Sequence, residues 1–306
     1  MRIDSLSYSN AKTQGATRRA WLQQHSPQHL EQCNALLADS LNYRQAGTSP
    51  SILILGAGAC TEVPLALLAR VSDEVILIDL DRLAMQQAQR EITSPTLQKR
   101  IQPIQADVSG GISANLKRLL DKQPWDRLVK QGASAVFDAM ATCLERCSIP
   151  DPPAMPGIAQ GAYGLVISSL LLSQLFSYPL LDILDTIQRI APQYVGEQER
   201  HRRYQDAAQS FRIQTIQAHL HLLRALMDSG GVVALLSDIR GFVFEVYGTE
   251  HDAAHRRVLP LVPRTLPEMV RQEFTVLAEN QWEWITDLPT NEKLGRGYEV
   301  SGYILR

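Results

Sequence analysis

Four consecutive aliphatic residues, Ile52-Leu-Ile-Leu55, run without a polar break into Gly56-Ala57-Gly58. An uninterrupted apolar run bounded by a turn reads as a strand buried on both faces, as in a parallel sheet, rather than a strand with one wet face. The two glycines allow a tight turn and a close approach of the backbone to a ligand. An apolar helical pattern follows from Val63 to Ala69. A helix starting there would present its first N–H groups to polar or anionic parts of that ligand. Strand, glycine turn and helix together predict a site for a nucleotide-type cofactor.

The glycine loop does not choose the cofactor, because a dinucleotide fingerprint wants G-x-G-x-x-G and the third glycine position holds Thr61. The elements downstream are more selective. A second apolar run, Val75-Ile-Leu-Ile-Asp-Leu-Asp81, places Asp79 twenty-three residues after Gly56, where an acid can bind ribose hydroxyls. A third, Ile101-Gln-Pro-Ile-Gln-Ala-Asp107-Val108, also ends in an acid followed by an apolar residue. A fourth, Tyr163-Gly-Leu-Val-Ile-Ser-Ser169, leads into the helical Leu170-Leu-Leu-Ser-Gln-Leu175. On these residues the chain resembles the class I S-adenosylmethionine-dependent methyltransferases, over roughly residues 50 to 306.

The resemblance implies a cofactor, S-adenosyl-L-methionine, and a set of roles. The glycine loop, Gly56, Ala57 and Gly58, would pass under the amino-acid part, with Glu62 near its amino group. Asp79, with Leu80 beside it, would grip the ribose hydroxyls. Asp107 would receive the adenine amino group, with the Val108 N–H nearby, and Ser168 and Ser169 would lie beside the reactive methyl. Two positions depart from the family pattern: Ile54 stands where an acid is common, and Cys60 where a third glycine is common.

The expected fold is α/β, a mostly parallel seven-stranded Rossmann-like sheet with flanking helices and an antiparallel last strand. Residues 1–48 read as a helical N-terminal cap or lid, with helical spacing over Ala16–Leu22 and Leu30–Tyr43 and with Ser26-Pro27 as cap and first turn. Residues 49–306 read as the core, with insertions near 110–160, 190–228 and 240–271. Within the insertions, helices are expected around Ala114–Lys122, Ala133–Arg146, Leu180–Ile190 and Gln198–Asp228. Ser229-Gly230-Gly231 is expected to stop the last of these before a fifth strand at Val232–Ser237. Phe274–Ile285 and Tyr298–Leu305 close the chain as strands.

Composition narrows the function classes. A chain of 306 residues, 45% of them hydrophobic, can bury a large core. A formal net charge of −2 gives no support for a general nucleic-acid surface. No run approaches transmembrane length, and Met1–Trp21 lacks the apolar core of a signal peptide, so the cytoplasm is the expected compartment. Cys33, Cys60, Cys143 and Cys147 show no metal-ligand spacing.

Methyl transfer from a sulfonium is an in-line displacement, so the protein's main task is alignment. A general base is needed only where the acceptor must lose a proton, and the sequence leaves that base unassigned. Candidates for acceptor contacts or proton handling are Ser168 and Ser169 at a strand end, Gln174 and Tyr178 in the helix that follows, and His219 in a long inserted helix. Ser168 and Ser169 can equally cap the next helix, and His219 can equally be a satisfied core imidazole. His25 and His29, four apart, share a helix face and could line a lid. Arg18 and Arg19, with Tyr8 and Lys12, lie in the N-terminal segment, where Arg19 first and Tyr8 next are candidates to hold a carboxylate of the cofactor. His251, His255, Arg256 and Arg257 could form a recognition loop for an acidic acceptor.

The extensions favour a small-molecule or short-peptide acceptor roofed by inserted segments, without nucleic-acid or membrane partners. O-methylation of a carboxylate or hydroxyl is expected. N-methylation of similar acceptors is the alternative, and a nicotinamide-dependent oxidoreductase or a non-catalytic relative are further ones. The oligomeric state is open.

Overall fold

In the computed structural model, residues 15–245, 256–290 and 293–306 are described. The first apolar run forms β1 (Ile52–Leu55), with all four side chains fully buried. Burial of each such side chain is worth about 2 kcal/mol. Around it lie β2 (Val75–Asp79), β3 (Ile101–Gln105) and β4 (Tyr163–Ser169), all parallel. Leu55 pairs with Ile78 on one side and Ser168 on the other, so β1, β2 and β4 end level. That register brings Gly56, Asp79 and Ser169 to one sheet edge.

The strand order is β3-β2-β1-β4-β5-β8-β7, where β5 is Met227–Phe244, β7 is Val276–Asp287 and β8 is Gly295–Leu305. β5 runs parallel to β4, and β8 lies antiparallel between β5 and β7. The sheet is therefore mostly parallel and Rossmann-like, with antiparallel carboxyl-terminal strands. It has eight strands rather than the expected seven, because β6 (Arg257–Pro260) pairs with β5 off the main path.

The fifth strand is also far longer than expected. Gly230 and Gly231 do not terminate the preceding helix; they lie within β5, where a Cβ would come within 2.5 Å of Thr48 Oγ1 and 2.9 Å of Tyr163 O respectively. Close packing, not a helix stop, requires these glycines. Beyond Ser237 the strand continues because β8 and β6 supply hydrogen-bonding partners on both sides. Phe242 and Phe244 thus lie in a strand and, with Ile285, form a small apolar cluster against Trp21 and Leu288. His251 and His255 lie outside the described residues, as do Tyr8 and Lys12. The recognition loop expected there is reduced to Arg256 and Arg257. Arg256 lies over the Phe242 ring at 4.4 Å and pairs with Glu283, while Arg257 opens the exposed β6.

The chain divides into two compact units. One holds the described residues up to Val108, Gly157–Leu171 and those from Leu223 on, which include the whole sheet. Its helices α1 (Gly15–His25), α2 (Pro27–Ser40), α3 (Leu65–Arg70), α4 (Arg82–Arg90) and the single turn α5 (Pro95–Gln98) alternate with the early strands. Cys33, Leu36 and Leu37 of α2 are buried in the main core with β1, β5 and β8 residues. Ser26 does not cap α2 with its side chain; its hydroxyl donates to Ile285 O at 2.7 Å and accepts from Ile285 N–H at 3.1 Å. His25 and His29 separate accordingly: His25 packs on Trp21, whereas His29 is fully buried, accepts from Trp282 Nε1 at 2.9 Å and stacks on Trp284.

The second unit comprises Ser109–Pro156 and Leu172–Leu222. It contains α6 (Ile112–Asp121), α7 (Trp125–Gln131), α8 (Ala133–Glu145), α9 (Leu172–Ile190) and most of α10 (Arg202–Leu226). Helix α9 starts at Leu172, ahead of the helix expected over Leu180–Ile190. Helix α9 runs through Pro179, whose missing N–H would cost about 3 kcal/mol in an isolated helix. The buried stripe Leu172, Leu175, Phe176, Pro179, Leu180, Ile183 and Ile187 follows helical spacing, and its burial offsets that cost. The remaining helix, α11 (Leu266–Glu273), belongs to the first unit. No helix among the described residues is long and apolar enough to cross a membrane.

Candidate functional site

At the end of β1 the chain turns through Gly56, with φ +71°, and Gly58, with φ +46°. Both values lie in the left-handed region that side chains disfavour. The amides of Gly56 and Ala57 donate to Ile78 O at 2.9 and 3.1 Å, which fastens the loop to the end of β2. A Cβ on Gly56 would sit 2.9 Å from Leu171 Cβ and 3.1 Å from Ser169 O. The β1 turn is thus pressed against the chain leaving β4, and only glycine fits.

Two residues other than glycine share the left-handed conformation among the described residues, Cys60 (φ +51°) and Leu170 (φ +49°). Each costs about 1–2 kcal/mol. They follow the adjacent strands β1 and β4, so the strain is concentrated at one sheet edge. Cys60 stands where a third glycine was expected, and it keeps the backbone that a glycine would take.

Asp79 closes β2 and reaches across to this loop. Its Oδ2 accepts from Gly58 N–H at 2.9 Å and its Oδ1 from Asp81 N–H at 2.8 Å. Asp81 in turn caps α4, accepting from Ala84 N–H at 3.0 Å. An ionised carboxylate has about four lone-pair positions, so Asp79 is held in place by two amides and retains capacity for two further donors. Beside Gly58 the nearest atom to a built Cβ is Asp79 Oδ2 itself, at 3.9 Å. Leu80, next to the acid, is 58% exposed and offers an apolar surface there. Ala106 N–H donates to Asp79 O at 3.1 Å, which brings the β3 end, with half-buried Asp107 and buried Val108, alongside. Ser168 and Ser169 are buried at the β4 end.

Helix α3 begins at Leu65, later than a glycine-turn-helix pattern suggests, and spans six residues. The chain between Gly58 and Leu65 is a series of turns, with Cys60 N–H donating to Ala57 O at 2.7 Å and Val63 N–H to Cys60 O at 3.3 Å. These loop amides, like those of Gly56, Ala57 and Gly58, are spent on bonds within the protein. Burial pushes the Cys60 thiol up to about 12; the Arg19 charge opposes this, and Glu62, Asp79 and Glu91 add to it. Cys60 is a neutral packing group.

Arg19, expected to hold a ligand carboxylate, is engaged within the protein. Its guanidinium pairs with Glu91 at 2.7 Å and donates to Ala59 O and Cys60 O at 3.1 Å each. Sequence reasoning missed this attachment, and it missed the left-handed Leu170. Neither has a local sequence signal.

The other candidates lie in the second unit. Gln174 and Tyr178, one turn apart on α9, are exposed. His219 on α10 is 1% exposed, and burial lowers its pKa to about 4. An imidazole in that setting is a core group rather than a proton acceptor near neutral pH. His221 is partly exposed and pairs through Nδ1 with Asp151 at 2.5 Å. The same unit has a cavity of about 520 Å³ between α8 and α10, lined by residues including Glu145, Arg203, Asp206 and Phe211. Arg203 is already paired with Glu145 at 2.8 Å, and no residue proposed from sequence for cofactor or acceptor lines that cavity. Among the described residues no cluster of His, Cys, Asp and Glu could hold a metal.

The buried His219 makes a pH prediction. Its pKa falls from an ordinary 6.5 to about 4 on folding, so between those values the unfolded chain binds more protons. Stability from this group is complete above about pH 6.5 and is lost as pH falls toward 4, by roughly 3 kcal/mol in all. Urea unfolding followed at several pH values should show His219→Leu flatter than wild type in that window. Parallel profiles would contradict the assignment.

No family model matches the sequence, and no curated protein matches it. Among solved structures, a SAM-dependent methyltransferase from Aquifex aeolicus is similar over 94% of this chain and 97% of its own, at 9% identity and a TM-score of 0.41. A SAM-dependent methyltransferase from Leishmania major is similar over 98% and 82%, at 11% identity and a TM-score of 0.43. The glycopeptide N-methyltransferase MtfA, complexed with sinefungin, is similar over 89% and 92%, at 11% identity and a TM-score of 0.40. At such TM-scores these likenesses carry no argument, and the fold rests on the strand order and register of this chain.

Proposed function

We propose that this chain is a class I S-adenosylmethionine-dependent methyltransferase, transferring the methyl group to an oxygen of a small-molecule or short-peptide acceptor. The observation that carries the reading is Asp79, locked by Gly58 and Asp81 amides at the level carboxyl edge of a β3-β2-β1-β4-β5-β8-β7 sheet. The dinucleotide-binding order 3-2-1-4-5-6 is mostly parallel, and an antiparallel strand in such sheets lies at an edge. Here the sixth place is taken by the antiparallel β8, which favours the methyltransferase over the oxidoreductase.

The residues present fit the cofactor. Asp79 would accept from ribose hydroxyls with its remaining lone pairs, and Leu80 would pack on the adenosine. Gly56 and Gly58 would let the backbone approach the amino-acid part, with Glu62 nearby, and Asp107 and Val108 would address the adenine. When bound, the cofactor supplies an electrophilic methyl on sulfur. The protein's work is to align the acceptor with it and to exclude water. Ser168 and Ser169 would orient the acceptor rather than deprotonate it. An oxygen already ionised, such as a carboxylate, needs no base, so O-methylation is compatible with a site in which no base is assigned.

Two tests follow. With methyl-labelled cofactor, carboxylate acceptors are expected to yield base-labile label, whereas transfer confined to amines would replace the O-methylation reading. Asp107→Asn puts donors where an acceptor is wanted. In calorimetric titrations it should weaken S-adenosylhomocysteine more than a fragment lacking adenine, and equal losses would misplace the β3 end.

A further inference from the structure

We infer that Arg19 is a positioning residue that holds the glycine loop of the cofactor site in its strained shape, an inference that rests on the cofactor reading above. Three contacts converge on one guanidinium. Two are the carbonyls of Ala59 and Cys60, consecutive residues of the loop, and the third is Glu91 beyond the end of α4. The loop follows β1, and α4 follows Asp79, so Arg19 ties together the two segments that flank the ribose-binding acid.

The carbonyls it binds are those of the segment where Cys60 adopts φ +51°. A left-handed residue other than glycine persists only where its surroundings over-determine it. Cys60 contributes one such restraint by donating its N–H to Ala57 O, and its own carbonyl accepts from Val63 N–H as well as from Arg19. The planar fork of arginine can reach a carboxylate and two carbonyls at once, which a lysine ammonium on a flexible stem cannot hold in the same geometry. The pairing with Glu91 is partly exposed, so its own strength is small. Its effect is to aim the guanidinium at the loop. Because α1 carries Arg19, this helix acts on the cofactor site through the loop backbone.

Amide hydrogen exchange of the ligand-free protein tests this without depending on the cofactor assignment. In Arg19→Ala the Cys60 and Val63 amides should exchange at least about tenfold faster, while the Leu53 and Leu55 amides of β1 stay unchanged. Arg19→Lys should recover only part of the protection. Adding Cys60→Gly to Arg19→Ala should return the Val63 amide to within about threefold of the rate in Cys60→Gly alone, since glycine carries no left-handed penalty. Unchanged loop exchange in Arg19→Ala, or equal acceleration throughout β1, would overturn the inference, the second outcome making Arg19 a general stability residue. A companion titration separates the two proposals. Arg19→Ala should weaken S-adenosylhomocysteine about tenfold or more but 5′-methylthioadenosine, which lacks the amino-acid part, about twofold or less. Equal losses would refute the positioning role, whereas failure of the wild type to bind either ligand would refute the cofactor reading and leave the exchange result to judge Arg19.

Discussion

Replacing Asp79 with alanine is expected to weaken S-adenosylhomocysteine by at least about a hundredfold. The carboxylate would accept two ligand hydroxyls, each such charge-assisted bond contributing roughly 1.5–3 kcal/mol, and 1.4 kcal/mol corresponds to a factor of ten. The same change releases the amides of Gly58 and Asp81, so the loop loses one of its anchors along with the ligand contact. Asp79→Asn separates these effects, since its amide oxygen can keep one backbone donor while the charge is lost. Calorimetry on both variants should rank them alanine below asparagine below wild type. Affinity in Asp79→Ala within about threefold of wild type would remove this residue from the site.

Gly56→Ala is expected to be the most destabilising single methyl addition in the loop. Its Cβ would meet Leu171 Cβ at 2.9 Å and Ser169 O at 3.1 Å, and its φ of +71° is strained for alanine. Strain of about 1–3 kcal/mol and overpacking of about 1–3 kcal/mol add, because neither relieves the other. A fall in melting temperature of roughly 10 °C follows for a chain of this size. Gly58→Ala is the contrast: a Cβ there meets only Asp79 Oδ2, at 3.9 Å, so the backbone strain remains without the clash. Equal melting temperatures for the two variants would show that the β1 turn is not pressed against the chain leaving β4.

β1, β2 and β4 were legible because buried strands leave largely apolar runs, whereas β3, with Gln102 and Gln105 exposed, was marked chiefly by its place before Asp107. Asp79 could be placed from spacing alone; that its two oxygens hold Gly58 and Asp81 could not. The fifth strand was misjudged because Gly230 and Gly231 look like a helix stop, whereas their neighbours Thr48 and Tyr163, distant in sequence, leave no room for a side chain. The left-handed Cys60 and Leu170 carry no composition signal, since the contacts that enforce those angles come from other strands and from Arg19. The apolar stripe of α2 says that it packs but not against what; Cys33, Leu36 and Leu37 join the core of the sheet. The histidines follow the same logic. Spacing puts His25 and His29 on one helix face, yet burial against Trp282 and Trp284 decides what His29 does.

The central claim is that the carboxyl edge built by Gly56, Gly58 and Asp79 is an S-adenosylmethionine site. Its most direct test is calorimetric titration of the wild-type protein with S-adenosylhomocysteine and, separately, with a nicotinamide dinucleotide. The account predicts saturable one-to-one binding of S-adenosylhomocysteine and no binding of the dinucleotide. Tight binding of the dinucleotide, or no binding of S-adenosylhomocysteine, would contradict it.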